Sequence, residues 1–168
     1  LMDDIVDLES EKVQKIIQKV LKDPEPQEIK QIELDLWRKI QVTLETGRRT
    51  GLGITAEADM LAALGFTYGT EQATSFAESV HKVLAINSFK SSVKMAKERG
   101  CFRIWDYNKE KHNPFLNRIL DELELDEIDE YKQYGRRNIS ETTISPTGSL
   151  SLLSQTSSGV EPVFMLYH

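Results

Sequence analysis

Cysteine is almost missing from this chain: Cys101 is the only one in 168 residues. One thiol excludes an internal disulfide framework and any zinc site built from several cysteines, and it fits a reducing, cytoplasmic setting. Histidine is scarce as well, and His81, His112 and His168 lack the spacing of metal ligands. No apolar run reaches the roughly 18 residues that cross a bilayer, and no signal-peptide pattern opens the chain, so no membrane partner is expected. Lys and Arg number 21 against 27 Asp and Glu, a net charge of -6. That balance argues against a nucleic-acid partner, because phosphate contacts need clustered cations. No internal repeat or low-complexity segment is found. The chain opens on Leu1 rather than Met and continues past Pro162 to His168. The expectation is therefore a piece of a longer protein, with residues 1–168 forming part of one domain and no internal boundary.

What is present is helix-forming pattern. Val13, Ile16, Ile17, Val20 and Leu21 recur at the spacing of one buried helical stripe. Ser10 is read as its N-cap, with residues 1–8 as a preceding loop. Two prolines, Pro24 and Pro26, end that helix. A second helix over 27–46 is expected to bury Ile29, Ile32, Leu36, Trp37, Ile40 and Leu44, with Gly47 at its C-terminal turn. A short helix over 56–64 ends at Gly65. Thr70 caps a long helix over 71–99, with Ala73, Phe76, Ala77, Val80, Val83, Leu84, Val93 and Ala96 inward and His81 as a structural histidine on the flank. Cys101 to Asp106 reads as a short extended piece, with Cys101 a small buried hydrophobe. Asn113-Pro114 reads as N-cap and first helical residue. A further short helix through Ile128 and Tyr131 ends near Gly135. The acidic run 122–130 is read as a solvated face rather than a metal site.

Two stretches speak about chemistry. Around Gly51-Leu52-Gly53, beside Arg48 and Arg49, the backbone must come close to something. It lacks the third glycine of a dinucleotide fingerprint and the lysine of a P-loop, and the arginines are read as carboxylate partners. The second stretch runs from Thr143 to Pro162. A short β-favouring run stops at Pro146, and Thr147-Gly148-Ser149 leads into an apolar, helix-compatible run. Strand, tight turn and helix start aim several backbone N–H groups at one point, which suits phosphate or another anion. The hydroxyls of Thr147, Ser149 and Ser151 are further candidates for hydrogen bonds. A loop with a proline and a glycine is also commonly no more than a turn.

Several segments together resemble the large, catalytic subunit of ribonucleotide reductase. They are Arg48-Arg49-Thr50-Gly51-Leu52-Gly53-Ile54-Thr55, Asp59-Met60-Leu61-Ala62-Ala63-Leu64-Gly65, Arg137-Asn138, Ser145-Pro146-Thr147-Gly148-Ser149 and Ser157-Ser158-Gly159-Val160-Glu161-Pro162. Their order and spacing match over nearly the whole chain. Pro-Thr-Gly-Ser followed by Thr-Ser-Ser-Gly-Val-Glu-Pro is most similar to the adenosylcobalamin-dependent (class II) reductases. The resemblance implies an α/β fold, a ten-stranded barrel of two half-barrels like that of glycyl-radical enzymes. This chain would be a predominantly helical fragment of the second half, with the strand before Pro146 belonging to the barrel.

It further implies a parent enzyme that makes 2′-deoxyribonucleotides from ribonucleoside diphosphates or triphosphates by thiyl-radical chemistry. Carried over by position, Pro146, Thr147, Gly148, Ser149 and Leu150 become the substrate-phosphate contacts. Adenosylcobalamin is the implied cofactor. The ribonucleotide, a thioredoxin-like reductant and, as an option, further copies of the chain are the implied partners. The family's radical cysteine, its reducing cysteine pair and the assisting asparagine and glutamate match nothing here, and Cys101 corresponds to none of them. Catalytic residues are thus expected to be absent and the fragment itself inactive. Tyr167 is read as a packing residue rather than a redox one. At Ala56-Glu57 the family usually has a glycine and an apolar residue, which bears on how closely the next helix packs. Two alternatives stand beside this reading: a class I parent with a separate metal-containing radical subunit, and a helical interaction module whose turn is purely structural. A fragment cut from a barrel is also expected to expose apolar surface and to self-associate or lose order toward residues 142–168.

Overall fold

The computed structural model describes residues 1–163, so the readings of Tyr167 and His168 lie outside the described residues. Eight helices are present among them: α1 (Met2–Lys22), α2 (Gln27–Gly47), α3 (Glu57–Ala63), α4 (Glu71–Arg99), α5 (Tyr107–Glu110), α6 (Pro114–Leu120), α7 (Leu125–Tyr134) and α8 (Gly148–Ser154). None is long and apolar enough to cross a membrane. The strand expected before Pro146 is reduced to one parallel bridge between Leu52 and Thr142. A ladder needs an extended partner along its length, and among the described residues only the stretch around Leu52 supplies one.

The chain divides into two compact units, each assembled from two separate stretches. Residues 1–50 and 89–140 form the first; residues 51–88 and the segment from Glu141 on form the second. The division falls inside α4, between Ser88 and Phe89.

In the first unit α1 and α2 pack as a helical hairpin. Val13, Ile17, Val20 and Leu34 are buried, with Ile16, Trp37 and Ile40 against them. Two expectations fail here. Residues 1–8 are not a loop, because α1 begins at Met2 with Asp3 and Asp4 in its first turn, where carboxylates favour the helix dipole. Ser10 is therefore mid-helix, and its hydroxyl donates to Glu45 Oε1 at 3.2 Å instead of capping. On α2 the buried stripe is also rotated from the expected one. Ile29, Ile32 and Leu36 face outward, with Ile32 72% exposed, whereas Leu34 is 4% exposed. The outward stripe turns polar after Leu36, at Lys39 and Thr43, whereas the stripe of Leu34, Trp37, Ile40 and Leu44 stays apolar to the helix end. Leu21 is half-exposed as well.

The left-handed residue that ends α2 is Arg48 (φ 46°), one past the expected Gly47. Gly47 has a packing reason instead, since a Cβ there would stand 3.2 Å from Ile139 Cγ2 and 2.7 Å from Arg49 Nη1. Arg48 is held by carboxylates, as its type suggested: Nε donates to Asp3 Oδ1 at 2.8 Å and Nη1 to Asp7 Oδ1 at 2.7 Å. Arg137 Nε donates to Asp3 Oδ2 at 3.0 Å, and buried Asn138 donates from Nδ2 to Asp3 Oδ1 at 3.2 Å and to Arg48 O at 3.0 Å. Ser92 of α4 closes this cluster, accepting from the N–H groups of Arg137 and Asn138.

Tyr131 of α7 is fully buried beside Phe89, Trp105 and Tyr107. Its hydroxyl and Trp105 Nε1 both donate to Glu110. Residues 101–106 form a turn rather than an extended piece, with Trp105 N–H donating to Phe102 O, and Cys101 is half-buried. Asp106 caps α5, which the sequence reading missed, and Asn113 caps α6 as expected.

In the second unit, α3 and the first part of α4 support the segments described next. Thr70 Oγ1 accepts from Ala73 N–H at 3.3 Å, the expected cap of α4. Ala73 is buried and Phe76 packs on Phe66, but Val83 faces outward, 60% exposed.

Candidate functional site

Residues 51–53 run parallel to residues 141–143. Leu52 N–H donates to Glu141 O at 2.7 Å, and Thr143 N–H to Leu52 O at 3.0 Å. The glycines permit this approach: a Cβ on Gly53 would stand 2.6 Å from Thr143 O, and one on Gly51 2.7 Å from Thr143 Cγ2. The backbone flanking Leu52 thus comes close to the segment that leads into Pro146.

Beyond the bridge the segments are tied by hydroxyls. Thr55 Oγ1 donates to Ser157 O at 3.1 Å, which uses its single proton. At the 2.8 Å contact between the Thr55 and Thr147 hydroxyls, Thr147 is consequently the donor. Thr147 Oγ1 in turn accepts from Gly159 N–H at 2.8 Å. Ala56 N–H donates to Ser157 O at 3.1 Å and Glu57 N–H to Gly159 O at 3.2 Å. Asp59 and Ser157 exchange bonds: Ser157 N–H donates to Asp59 Oδ2 at 2.5 Å, and Asp59 N–H to Ser157 Oγ at 3.4 Å. Gly159 has φ 52°, and a Cβ there would stand 3.2 Å from Ser145 O, so glycine suits this point on both counts.

This lattice presents the start of α8. Thr147 is its N-cap residue but makes no side-chain cap, since its hydroxyl is committed to Thr55 and Gly159. The first N–H groups of a helix have no intrahelical partner, so those of Gly148, Ser149 and Leu150 are left at an exposed helix start. Pro146, Gly148, Ser149 and Leu150 are exposed and Thr147 is half-buried. Of the three candidate hydroxyls, Ser151 is also committed, donating to Gly148 O at 2.8 Å, which leaves Ser149. A cavity of about 660 Å3 lies beside the turn, lined among others by Asp59, Gly148, Ser151, Gln155, Ser157 and Glu161. Among the described residues, neither arginine nor lysine lines it. Anion recognition here would come from backbone dipoles.

The sequence reading selected 146–150 and missed Thr55, Asp59 and Ser157 as the residues that hold them. The threonine closing Gly-Leu-Gly-Ile-Thr was the available signal. Residues 10–168 match the family described as ribonucleotide reductase, barrel domain. The chain belongs to that family. A vitamin B12-dependent ribonucleoside-diphosphate reductase of Thermoplasma acidophilum is 34% identical to it over 119 residues, 71% of this chain and 13% of that protein. One of Mycobacterium tuberculosis is 30% identical over 120 residues, 71% and 14% of the two chains. A ribonucleoside-diphosphate reductase subunit alpha of Helicobacter pylori is 25% identical over 142 residues, 76% and 18%. The chain therefore spans between 13% and 18% of the length of these relatives.

Within this ribonucleotide reductase segment the motifs that carry the resemblance fall into two groups. Arg48, Arg137 and Asn138 build the buried cluster around Asp3 in the first unit. Thr55, Asp59, Thr147, Ser157 and Gly159 build the hydroxyl lattice in the second.

Proposed function

We propose that this chain is the part of a ribonucleoside-diphosphate (or triphosphate) reductase that grips the phosphates of its substrate. Pro146, Thr147, Gly148, Ser149 and Leu150 form the grip: the N–H groups of 148–150 and the Ser149 hydroxyl donate to phosphate oxygens, and Thr147 holds the turn in place. The observation that carries this reading is the exposed, uncapped start of α8, braced from below by Thr55 and Gly159. Donors fixed in advance lose little entropy when the ligand arrives. The reduction itself, by a thiyl radical and a dithiol, belongs to residues outside this chain, because one cysteine cannot supply two electrons as a disulfide-forming pair. A thioredoxin-like reductant, a cytoplasmic setting and assembly with further copies of the chain complete the proposal.

For the radical source we infer adenosylcobalamin, supported by the higher identity to the vitamin B12-dependent relatives than to the alpha subunit. That cofactor would supply the initiating radical when bound. Its binding site is not assigned to any of the described residues. The matches to alpha subunits keep a class I parent as the second reading. Turnover by the full-length protein without added cobalamin would decide for it.

The phosphate grip is tested by Gly148→Ala in the full-length protein. A Cβ on Gly148 meets nothing within 4 Å, so the fold tolerates it while space at the N–H groups is lost to the ligand. Calorimetric titration with a ribonucleoside diphosphate should show affinity reduced about ten-fold, about 1.4 kcal/mol, with the melting temperature unchanged. Gly148→Pro, which removes one N–H and, with Thr147 at ψ 38°, also restricts the turn, should weaken binding likewise. Unchanged affinity in both variants overturns the reading.

A further inference from the structure

Glu57 and Ala56 are adjacent residues that each carry a cost. The Glu57 side chain, 8% exposed at the first position of α3, meets His81 Nε2 of α4 at 2.7 Å through Oε2. A buried carboxylate is unfavourable unless a donor of this kind meets it. Ala56 sits at φ 66°, ψ 29°, in the left-handed region, which is unfavourable for a residue with a Cβ. Such a conformation persists only where its surroundings over-determine it. A glycine followed by an apolar residue would fill the same two positions with neither cost.

The same two residues hold the lattice by their backbone. Ala56 N–H binds Ser157 O, Glu57 N–H binds Gly159 O, and Gly159 N–H binds the Thr147 hydroxyl at the start of α8. The path from His81 to the turn is therefore continuous: His81 ring, Glu57 carboxylate, Glu57 N–H, Gly159, Thr147. We propose that Glu57 and His81 are positioning residues for the phosphate turn. By anchoring the first turn of α3 to α4, the pair fixes the segment 157–159 and with it the orientation of the donors at 148–150. This inference rests on the reading of that turn as a phosphate grip.

The test compares a ribonucleoside diphosphate with the matching nucleoside as ligands of the full-length protein. Glu57→Ala and His81→Ala should each raise the dissociation constant of the diphosphate about five- to ten-fold and leave that of the nucleoside within about two-fold. Glu57→Gln keeps an oxygen that accepts from His81 Nε2–H and should restore diphosphate binding to within about two-fold of the wild type. If Glu57→Ala does not fold, Glu57→Leu fills the same buried space without a partner for His81 and should fold with weakened diphosphate binding. Folded variants that melt lower yet keep diphosphate affinity would make the pair structural only and overturn the proposal. An equal loss for nucleoside and diphosphate would overturn it too. If Gly148→Ala weakens binding while the Glu57 and His81 variants do not, only this inference fails. If Gly148→Ala has no effect, the phosphate grip itself fails.

Discussion

Asp3 is 2% exposed at the start of α1 and meets Arg48, Arg137 and Asn138. Burial pushes its carboxyl up, but hydrogen bonds from Arg48 and Arg137, and their charges, outweigh burial and hold it below the ordinary value. Because the folded state binds that proton more weakly than the unfolded chain, the stabilisation is fully present above the unfolded value of about 3.9 and is lost as pH falls through the folded value. Urea unfolding should therefore show stability declining below about pH 4 in the wild type, with a shallower decline in Asp3→Asn. At neutral pH Asp3→Asn should already be about 3 kcal/mol less stable, since it leaves the Arg137 guanidinium without its carboxylate and Arg48 with Asp7 alone. Equal acid profiles for the two proteins would refute this. Tyr131 shows the opposite displacement, its phenol pushed up by burial and then by the Glu110 charge.

At the scale of elements, the hairpin of α1 and α2 offers the sharpest contrast. Leu34→Ala should cost about 2–5 kcal/mol, whereas Ile32→Ser on the outward stripe should stay within about 0.5 kcal/mol, both read from chemical denaturation. Similar costs for the two would mean that the outward stripe is packed. Sequence pattern located the helices well where punctuation is unambiguous: Thr70 before α4, Asn113-Pro114 before α6, Gly65 and Gly135 after α3 and α7. It failed where two stripes compete on one helix, as on α2, because periodicity states that a face is apolar and not which face finds a partner. It failed again at Ser10, a good cap residue in a helix that had already begun at Met2. The turn at 146–150 was legible from local chemistry. Its bracing was not, because Thr55 and Thr147 meet only in the folded chain.

Across the molecule, large apolar side chains remain in water. Ile144 is 70% exposed, Leu152 73% and Leu153 83% around the candidate site, and Ile32 and Leu125 are similarly bare in the first unit. Surfaces of that kind seek cover. Light scattering on the isolated chain should show a mass that rises with concentration, and a strictly monomeric, sharply melting chain would contradict this. The hydroxyl lattice has a kinetic consequence as well. Thr55 lies 92 residues from Thr147 and 104 from Gly159, so each bond from Thr55 that braces the turn closes a very long loop, whereas the bond from Gly159 to Thr147 spans only 12 residues. Helices form from neighbours in sequence, but contacts of this separation are slow and come after local structure. During synthesis the hydroxyl lattice cannot be completed until residue 159 has left the ribosome, long after α1 and α2 are able to pair. The bracing of the turn at 146–150 by Thr55 is thus a late event for this stretch of chain, and a delay in elongation would postpone it.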